Sequence, residues 1–591
     1  MKREEISSKY KWNLTDVYKN IDEYNEEQAK IETLVNEFIS YKGNLTKTPK
    51  NLYNALKLKE QIDMIISRLY VYSNMNLHED TTNALFQQLT GDLSVKITQI
   101  DEKMSFFTPE LLNASYEKII DFIESNNKLK RFKFFLDQLF SSKNHILSIK
   151  EEELLSRSSN ILNSSNEIFS NLNDADLVFE KIIDEEGKKI PLTHGTYYKY
   201  ITSNNRTVRK RAFKTLYKKY KELNNTLGNI MNSNLQTTNF LYKTRKYKTP
   251  LNMYLDQNRI DTSIYYDLIK QVNNNLDKLH KYFDIKKKIL KYNKLYMYDL
   301  AVNLIEEGNK EYSYEEAKEI VLKSLNSLGE KYINDLNKIF NENWIDVYET
   351  RGKRTGAYAW GAYPTHPYIL LNYQGKLNDI STLAHELGHA LHRYYSNETQ
   401  DYYYSDNEIF TAEIASTVNE IILKLYLLKK SQDKKQKLNI LNEMFDSFKS
   451  TIYRQTMFAE FELDIHNKAS KGESFTADKL NNIYYELVKK YHGNNVIIDE
   501  EIKYEWSRIP HFYTPFYVYQ YATGLSIAFV IAYKIFDEDK EMLEKYLEFL
   551  HSGSCDYPTN LVEKMGIDIN KSINDALQIF DDLMEEFKQL L

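Results

Sequence analysis

The chain has 591 residues, of which 42% are hydrophobic and 27% charged, so we expect a folded protein with at least two packed lobes. Its net charge of −6 disfavours nucleic acid as a partner, because phosphate binding favours a basic surface. Cys555 is the only cysteine, which excludes an intramolecular disulfide, and no apolar run suits a signal peptide or a membrane span, so a cytoplasmic protein without a membrane partner is expected.

Most of the sequence predicts amphipathic helices. Apolar residues recur every three or four positions from Leu85 to Phe107 and from Asn204 to Lys243. Between these stretches, residues 177–192 read LVFEKII, DEEG and KKIPL, which predicts a β-hairpin. We expect a boundary near residue 190, between an N-terminal helical domain (1–190) and a larger C-terminal domain (191–591).

An extended segment is predicted from Tyr363 to Tyr373. Pro364 and Pro367 exclude a helix at its start, and they also exclude a central strand at those two positions. This segment leads directly into the most informative helix of the chain.

That helix is predicted over residues 378–393, NDISTLAHELGHALHR. Asn378 or Asp379 can cap its start. At about 100° per residue, His385 and His389 lie opposite an apolar stripe. The stripe consists of Ile380, Leu383, Ala384, Leu387 and Leu391. One face of the helix therefore packs into the core, while the other presents two imidazoles one turn apart.

The segment HELGH has the HExxH spacing of zinc hydrolases. His385 and His389 can both reach one zinc ion, while Glu386 is placed to hydrogen-bond a metal-bound water. His392 lies one turn further along, but three ligands spread over about 10 Å of straight helix cannot converge on one ion. We therefore assign His392 to the core or to the surroundings of the ligands. The alternative HExxHxxGxxH pattern fails at His392 and at Tyr395.

A third ligand is expected from the next predicted helix, residues 407–428. Its apolar stripe leaves three polar residues on the other side: Glu413, Thr417 and Glu420. Glu413 follows His389 by 24 residues, which is enough for a loop and a returning helix. Glu420 is the competing ligand, and alternatively it can accept a hydrogen bond from an imidazole and so orient it.

Many ordered segments resemble the oligoendopeptidase F family, a member of the thimet oligopeptidase superfamily of zinc peptidases. The resemblance spans nearly the whole chain and includes these segments: KWNLTDVY (11–18), LTHGTYYKYI (192–201), VRKRAFKTLY (208–217), RKYKTPLNMYL (245–255), HELGHALH (385–392), FTAEIAS (410–416), PHFYTPFYVYQYATG (510–524) and SGSCDYPTNLVEKMGID (552–568). It implies a mainly α fold with two helical lobes around a deep substrate channel and a small β-sheet near the zinc site.

The resemblance also assigns residues. It makes Glu413 the third zinc ligand, and it implies that His511, Tyr517 and Tyr521 face the zinc and donate hydrogen bonds to the substrate and the transition state. Tyr517 and Tyr521 would share one helix face. A further tyrosine of thimet-type relatives aligns with Gly524, so the chain departs from that pattern at this position.

Two further segments take expected roles from the same resemblance. YILLNY (368–373) resembles the edge strand of the cleft, on which the main chain of the substrate would pair as an added strand. The loop from His551 to Tyr557 resembles a flexible loop on the far side of the cleft. Both segments are also compatible with ordinary connections.

The implied function is a zinc endopeptidase, with one Zn²⁺ per chain, that cuts internal bonds of short unfolded peptides in the cytoplasm. Glu386 would activate the zinc-bound water. Three alternatives remain: a zinc carboxypeptidase, a dipeptidyl carboxypeptidase of the same superfamily, and a non-catalytic helical protein that binds peptides. The sequence does not indicate the oligomeric state.

Overall fold

The computed structural model describes residues 2–305 and 310–591, apart from the side chains of Ile149, Glu153 and Ser156. This part of the chain is mainly helical, as the sequence predicts. Its α-helices are, in chain order, α1 (Ile21–Ile39), α2 (Pro49–Glu79), α3 (Ala84–Met104), α4 (Phe107–Asn113), α5 (Tyr116–Ser125), α6 (Lys133–Ser141), α7 (Ile149–Ser170), α8 (His194–Ile201), α9 (Arg206–Glu222), α10 (Asn224–Thr244), α11 (Pro250–Asp256), α12 (Thr262–Asn274), α13 (Leu276–Ile289), α14 (Tyr314–Ser324), α15 (Glu330–Asn341), α16 (Leu377–Thr399), α17 (Ile409–Lys430), α18 (Lys434–Ser447), α19 (Arg454–Ser470), α20 (Ala477–His492), α21 (Tyr519–Phe536), α22 (Lys540–Leu550), α23 (Pro558–Lys564) and α24 (Ile569–Leu590).

Short strands interrupt the helices. They are β1 (Lys181–Ile183), β2 (Lys189–Pro191), β3 (Leu295–Tyr296), β4 (Ile345–Asp346), β5 (Tyr358–Trp360), β6 (Tyr368–Leu370) and β7 (Val496–Ile497). The antiparallel pair β1–β2 confirms the hairpin predicted over residues 177–192. β3 and β7 form a parallel pair, and the other three strands form a sheet in the order β4–β6–β5.

The order of this three-stranded sheet contradicts one expectation. β6, from the segment YILLNY, is the central strand, with β4 parallel on one side and β5 antiparallel on the other. All three of its residues are buried. The strand begins at Tyr368, directly after Pro367, so neither proline of the segment interrupts its backbone hydrogen bonds. The predicted edge role for residues 368–373 is therefore wrong, and among the described residues β5 is an edge strand of this sheet.

Two predicted helical stretches differ from the structure in their ends. The stretch from Asn204 to Lys243 forms two helices, α9 and α10, separated at Leu223, where φ is −98° and ψ is 8°. A buried residue lies on each side of this break, Tyr220 before it and Leu227 after it, at helical spacing, so the apolar period does not reveal it. The stretch from Leu85 to Phe107 ends as α3 at Met104.

The chain forms two compact units, each assembled from three separate segments. The first unit contains Met1–Asn144, Asn309–Tyr426 and Ile531–Gly566. The second unit contains His145–Gly308, Leu427–Val530 and Ile567–Leu591. The boundary expected near residue 190 falls inside the second unit, and as a division between sequence domains it stays a prediction. Among the described helices, none combines the length and apolar composition that a membrane crossing requires.

Candidate metal centre

Helix α16 of the first unit carries both candidate histidine ligands. It begins at Leu377, and Asp379 in its first turn accepts hydrogen bonds from the backbone N–H groups of Gln374 and Lys376, at 3.0 and 2.8 Å. The cap predicted at Asn378 or Asp379 is therefore wrong in position, because Asp379 satisfies the preceding backbone from inside the helix. The predicted apolar stripe is completely buried: Ile380, Leu383, Ala384, Leu387 and Leu391.

A glycine inside α16 brings the next helix into backbone contact. A Cβ atom added to Gly388 would lie 2.6 Å from the Cα atom of Ser416 on α17. Beside this crossing, the Asn419 side chain donates a hydrogen bond to the carbonyl oxygen of Ala384 at 3.1 Å, and it accepts one from the Tyr332 hydroxyl at 2.9 Å. Gly388 thus lets α17 approach closely enough for its side chains to reach the imidazoles.

The crossing brings His385, His389 and Glu413 together. The two Nε2 atoms are 3.1 Å apart, and the carboxylate oxygens of Glu413 lie 3.8 Å from Nε2 of His385 and 4.0 Å from Nε2 of His389. A tetrahedral zinc ion with bonds of about 2.1 Å holds its ligand atoms roughly 3.4 Å apart. Two imidazole nitrogens and one carboxylate at these separations fit such an ion, with one coordination position left open.

Glu420, the competing ligand in the sequence, contacts the other side of His385. Its Oε1 atom lies 2.6 Å from Nδ1 of His385, and its Oε2 atom lies 3.7 Å from Nζ of Lys424. A metal-bound His385 would be neutral, and a proton on Nδ1, donated to Glu420, would then leave the lone pair of Nε2 directed at the cluster. This contact matches the second role considered for Glu420, an acceptor that orients an imidazole.

The two imidazoles have opposite electrostatic environments. Burial lowers the pKa of His385, but the hydrogen bond to Glu420 and the charges of the neighbouring carboxylates outweigh it and raise that pKa to about 9. Burial lowers the pKa of His389 to about 3, and the charge of His385 adds to this shift. His389 is therefore neutral at pH 7, which is the protonation state that a metal ligand requires.

Glu386 points into the same cluster without taking part in the ligand group. Its side chain is buried, with the residue only 6% exposed, and its Oε2 atom has no hydrogen-bond partner among the described residues. Burial raises the pKa of Glu386 to about 7, although the charge of His385 and a hydrogen bond from the backbone N–H of Ala359 act against this rise. A carboxylate with an unoccupied oxygen and a near-neutral pKa is suited to accept a proton from water.

A cavity of about 470 Å³ opens in front of these groups. It is lined by residues from β5, α16 and the start of α17, among them Tyr358, Ala359, Trp360, His385, Glu386, His389 and Glu413. The edge strand β5 therefore forms one wall of this cavity, where the sequence had pointed to residues 368–373. An extended peptide could add to β5 by main-chain hydrogen bonds.

His392 lies outside this arrangement. It is 1% exposed, its ring centroid is 5.3 Å from that of Phe549, and burial lowers its pKa to about 3. Of the described residues, those whose ligand atoms fall within 4.8 Å of one another in a metal-competent group are His385, His389 and Glu413. His392 is therefore a core residue, as one of the two sequence interpretations held.

The other predicted site residues form a group of their own in the second unit. The rings of Tyr517 and Tyr521 are 5.4 Å apart, and the Tyr521 hydroxyl lies 3.5 Å from Nε2 of His511. Burial lowers the pKa of His511, which favours its neutral form. Helix α21 begins only at Tyr519, so Tyr517 precedes it, and the expectation that both tyrosines share a helix face is wrong. The role of this group beside a metal ion stays a prediction.

Tyr517 lies on irregular backbone, and no sequence signal indicates which residue supports it. The preceding residue, Phe516, has a φ of 58° in the left-handed region. Its backbone N–H donates a hydrogen bond of 3.1 Å to Oε1 of Glu462, a fully buried residue on α19. Burial raises the pKa of Glu462 well above its usual range. Glu462 is therefore a support for the segment that carries Tyr517.

The structure shows the immediate surroundings of two other predicted features, Gly524 and the loop from His551 to Tyr557. An added Cβ atom at Gly524 would meet open space, so nothing near the backbone prevents a larger residue there. In the loop from His551 to Tyr557, the backbone N–H of Ser554 donates to the carbonyl oxygen of Tyr404 at 2.8 Å. The Gln400 side chain donates to the carbonyl oxygen of His551 at 2.8 Å. The role of this loop at a cleft stays a prediction.

Comparison with known families identifies two matching regions. Residues 199–578 match the model described as Peptidase family M3, and residues 110–179 match the model described as Oligopeptidase F. The two matches lie on either side of residue 190. The first match includes every predicted metal ligand and hydrogen-bond donor.

Individual relatives match over the full length. The chain is 40% identical to Oligopeptidase PepF of Bacillus subtilis (strain 168), over 100% of this chain and 88% of that protein. A crystal structure from Chlamydophila abortus is 32% identical, with a TM-score of 0.92 and 100% of both chains covered. The crystal structure of oligoendopeptidase-F from Enterococcus faecium is 33% identical, with a TM-score of 0.76, covering 96% of this chain and 99% of that one.

Proposed function

Because the chain belongs to peptidase family M3 and is a metalloendopeptidase of the oligoendopeptidase F type, we propose that it is a zinc-dependent enzyme that hydrolyses internal bonds of short peptides. One zinc ion would be held by His385, His389 and Glu413. The observation that carries this proposal is the convergence of their ligand atoms within 4.8 Å at the wall of a cavity. Two imidazoles and one carboxylate are a donor set that suits zinc.

The zinc ion and the side chains of the protein would supply different parts of the reaction. When bound, the ion would lower the pKa of a water molecule and polarise the carbonyl group of the scissile bond. Glu386 would accept the proton of the attacking water at its unpaired Oε2 atom and would pass it to the departing amine. Burial of Glu386, which raises its pKa above the usual carboxyl range, supports both steps.

The remaining groups would position the substrate and stabilise charge. β5 would pair with the main chain of the peptide as an added strand, which recognises peptides with little dependence on their side chains. His511, Tyr517 and Tyr521 would donate hydrogen bonds to the oxyanion that develops on the scissile carbonyl. Neutral donors suit this role, and burial favours the neutral form of His511.

The proposal is tested by cleavage of an internally quenched fluorescent peptide of about ten residues, with mass spectrometry of the products. Internal cuts that stop with a chelator and return with Zn²⁺ are expected. Release of single residues or of dipeptides from the C-terminus would instead indicate a carboxypeptidase. Chelator-resistant cleavage would contradict the metal-dependent mechanism, and absence of cleavage with zinc bound would favour a peptide-binding protein.

We also propose that the enzyme acts in the cytoplasm, on peptides that are short and unfolded. A location test is cell fractionation, in which the protein should accompany cytoplasmic markers. A substrate test is a length series, in which an intact folded protein should not be cut while peptides derived from it are cut.

A further inference from the structure

A second cavity, of about 410 Å³, lies within the second unit. Its volume falls in the range of small-molecule binding sites, which is about 300–1,000 Å³. Two of its lining residues, Tyr198 and Ser450, are exposed, so solvent can reach it. None of its lining residues belongs to the candidate metal centre or to the predicted donor group. The proposed peptidase mechanism therefore gives this cavity no role.

The walls of the cavity are mainly apolar and aromatic. They include these side chains: Phe213, Leu279, Phe283, Met297, Tyr453 and Met457. Aromatic rings and flexible thioethers adapt to a flat or branched apolar group. These walls therefore indicate a ligand with an aromatic or branched aliphatic body.

One carboxylate, Glu505, lies at the polar end of the lining, and both of its oxygens are occupied. Oε1 accepts from Nη2 of Arg454 at 2.9 Å and from the hydroxyl of Tyr217 at 3.1 Å, while Oε2 accepts from the hydroxyl of Tyr484 at 2.5 Å. Burial would raise the pKa of Glu505, but the charge of Arg454, the hydrogen bonds from Arg454 and Tyr484 and the charge of Arg508 lower it to about 2. Glu505 is thus ionised, and each of its oxygens already accepts at least one hydrogen bond.

The cavity lining contains two guanidinium groups, those of Arg454 and Arg508, and one carboxylate, that of Glu505. The Arg454 side chain remains 36% exposed although it pairs with Glu505. The Arg508 guanidinium lies 5.3 Å from the ring centroid of Tyr197, and its buried Nε atom has no hydrogen-bond partner among the described residues. A further lining cation, Lys449, is paired with Asp446. Arg508 also hydrogen-bonds the Tyr220 side chain and interacts with the charge of Glu505, so two guanidinium groups share one carboxylate. The lining therefore keeps an excess of positive charge beside apolar walls, where incomplete compensation is costly.

From this combination we propose that the cavity binds a small organic carboxylate with an aromatic or branched aliphatic body. The carboxylate would accept charge-assisted hydrogen bonds from Arg454 and Arg508, and the body would fill the apolar walls. A ligand that also carries an ammonium group is disfavoured. Glu505 is the acidic residue among the described lining, and both of its oxygens already accept hydrogen bonds from protein side chains.

The first test compares ligands on the unaltered full-length chain by isothermal titration calorimetry. The probe 3-phenylpropionate should bind at least ten-fold more tightly than 3-phenylpropionamide, phenylalanine or acetate. The amide lacks the negative charge, acetate lacks the apolar body, and phenylalanine adds an ammonium group. Equal binding of the amide would overturn the role of the charge. Equal binding of acetate or chloride would overturn the role of the apolar body.

The second test uses variants to locate the probe. Arg508→Gln should weaken 3-phenylpropionate binding about ten-fold, and Met457→Trp should weaken it by filling the cavity. Lys503→Gln removes an equal charge from the same segment outside the lining and should change nothing. His389→Ala should also leave binding unchanged. If His389→Ala abolishes binding while Arg508→Gln does not, the probe sits at the metal centre and the proposal is wrong.

Discussion

The metal centre and the segment that carries His511, Tyr517 and Tyr521 reach their geometry by different means. The metal centre lies on the interiors of two regular helices, which meet at a glycine with backbone contact. The segment from 510 to 521 begins with a short 3₁₀ turn at Pro510–Tyr513 and is irregular from there to the start of α21, and one buried carboxyl group, that of Glu462, supports its left-handed residue. The first region thus uses regular secondary structure, and the second uses individual hydrogen bonds.

The two regions also differ in charge. The metal centre gathers several carboxylates around two imidazoles, an arrangement that a cation stabilises. The other segment offers hydroxyl groups and a histidine whose pKa is lowered. Loss of a group in the first region should therefore abolish the reaction, whereas loss of one donor in the second should only slow it. The predictions below test this difference, beginning with the largest effect.

Glu386→Gln should separate metal binding from catalysis. The amide keeps the size of the side chain but cannot accept the proton, so we expect kcat to fall by about 10³-fold or more while the metal content stays at one per chain. His389→Ala is the matched comparison, and it should lose the metal and the activity together. A Gln variant that retains most of its kcat would show that another group is the base.

Tyr521→Phe should reduce kcat by about 10²-fold through loss of one donor to the oxyanion, with little change in metal content. The control is Tyr519→Phe, which alters a buried core tyrosine two residues away and should change kcat little. Equal kinetics for the two variants, measured with the quenched peptide, would remove Tyr521 from the mechanism.

Gly388→Ala should loosen the helix crossing. The new Cβ atom would overlap the backbone of Ser416, so we expect the free energy of unfolding to fall by about 1–3 kcal/mol and the metal affinity to fall about ten-fold. Gly524→Ala is the matched control, because it is also a helical glycine but its Cβ atom would meet open space. Thermal unfolding and a competitive zinc titration measure both effects, and equal results for the two variants would contradict the close approach.

Acidification should destabilise the chain through buried histidines of the second unit. Burial lowers the pKa of His466 to about 3 and that of His492 to about 4, compared with about 6.5 when unfolded. The unfolded state therefore binds more protons below pH 6.5, and stability is full above that pH and is lost as the pH falls toward 4. Each histidine should contribute a slope of about 1.4 kcal/mol per pH unit, which His466→Gln should reduce in denaturant titrations. An unchanged slope would mean that His466 is protonated in the folded state.

The sequence predicted the regions that depend on short spacing. The HELGH spacing and the stripe from Ile380 to Leu391 suffice for the two-faced helix, because both are repeats of a single turn. The spacing from His389 favoured Glu413 over Glu420, and the family resemblance then assigned it, whereas the contact between Glu420 and His385 depends on how two helices cross. The sequence signal for that crossing is Gly388. Glycine inside a helix costs about 1 kcal/mol relative to alanine, so its presence there indicates a close approach of another backbone.

Long-range pairing explains what the sequence did not reveal. The strand order β4–β6–β5 joins segments whose hydrogen bonds cannot be read from alternation, so β6 was mistaken for the edge in place of β5. Glu462 lies 54 residues before Phe516, and nothing in either segment indicates their hydrogen bond. The cavity beside Arg508 likewise depends on residues from distant helices.

Anomalous diffraction at the zinc edge, on crystals of the chain grown with Zn²⁺, tests the central claim most directly. We predict one strong peak per chain, about 2.0–2.2 Å from Nε2 of His385, Nε2 of His389 and a carboxylate oxygen of Glu413, with Glu420 bonded to the imidazole and not to the metal. A peak that excludes Glu413, or no peak between the two imidazoles, would contradict the account.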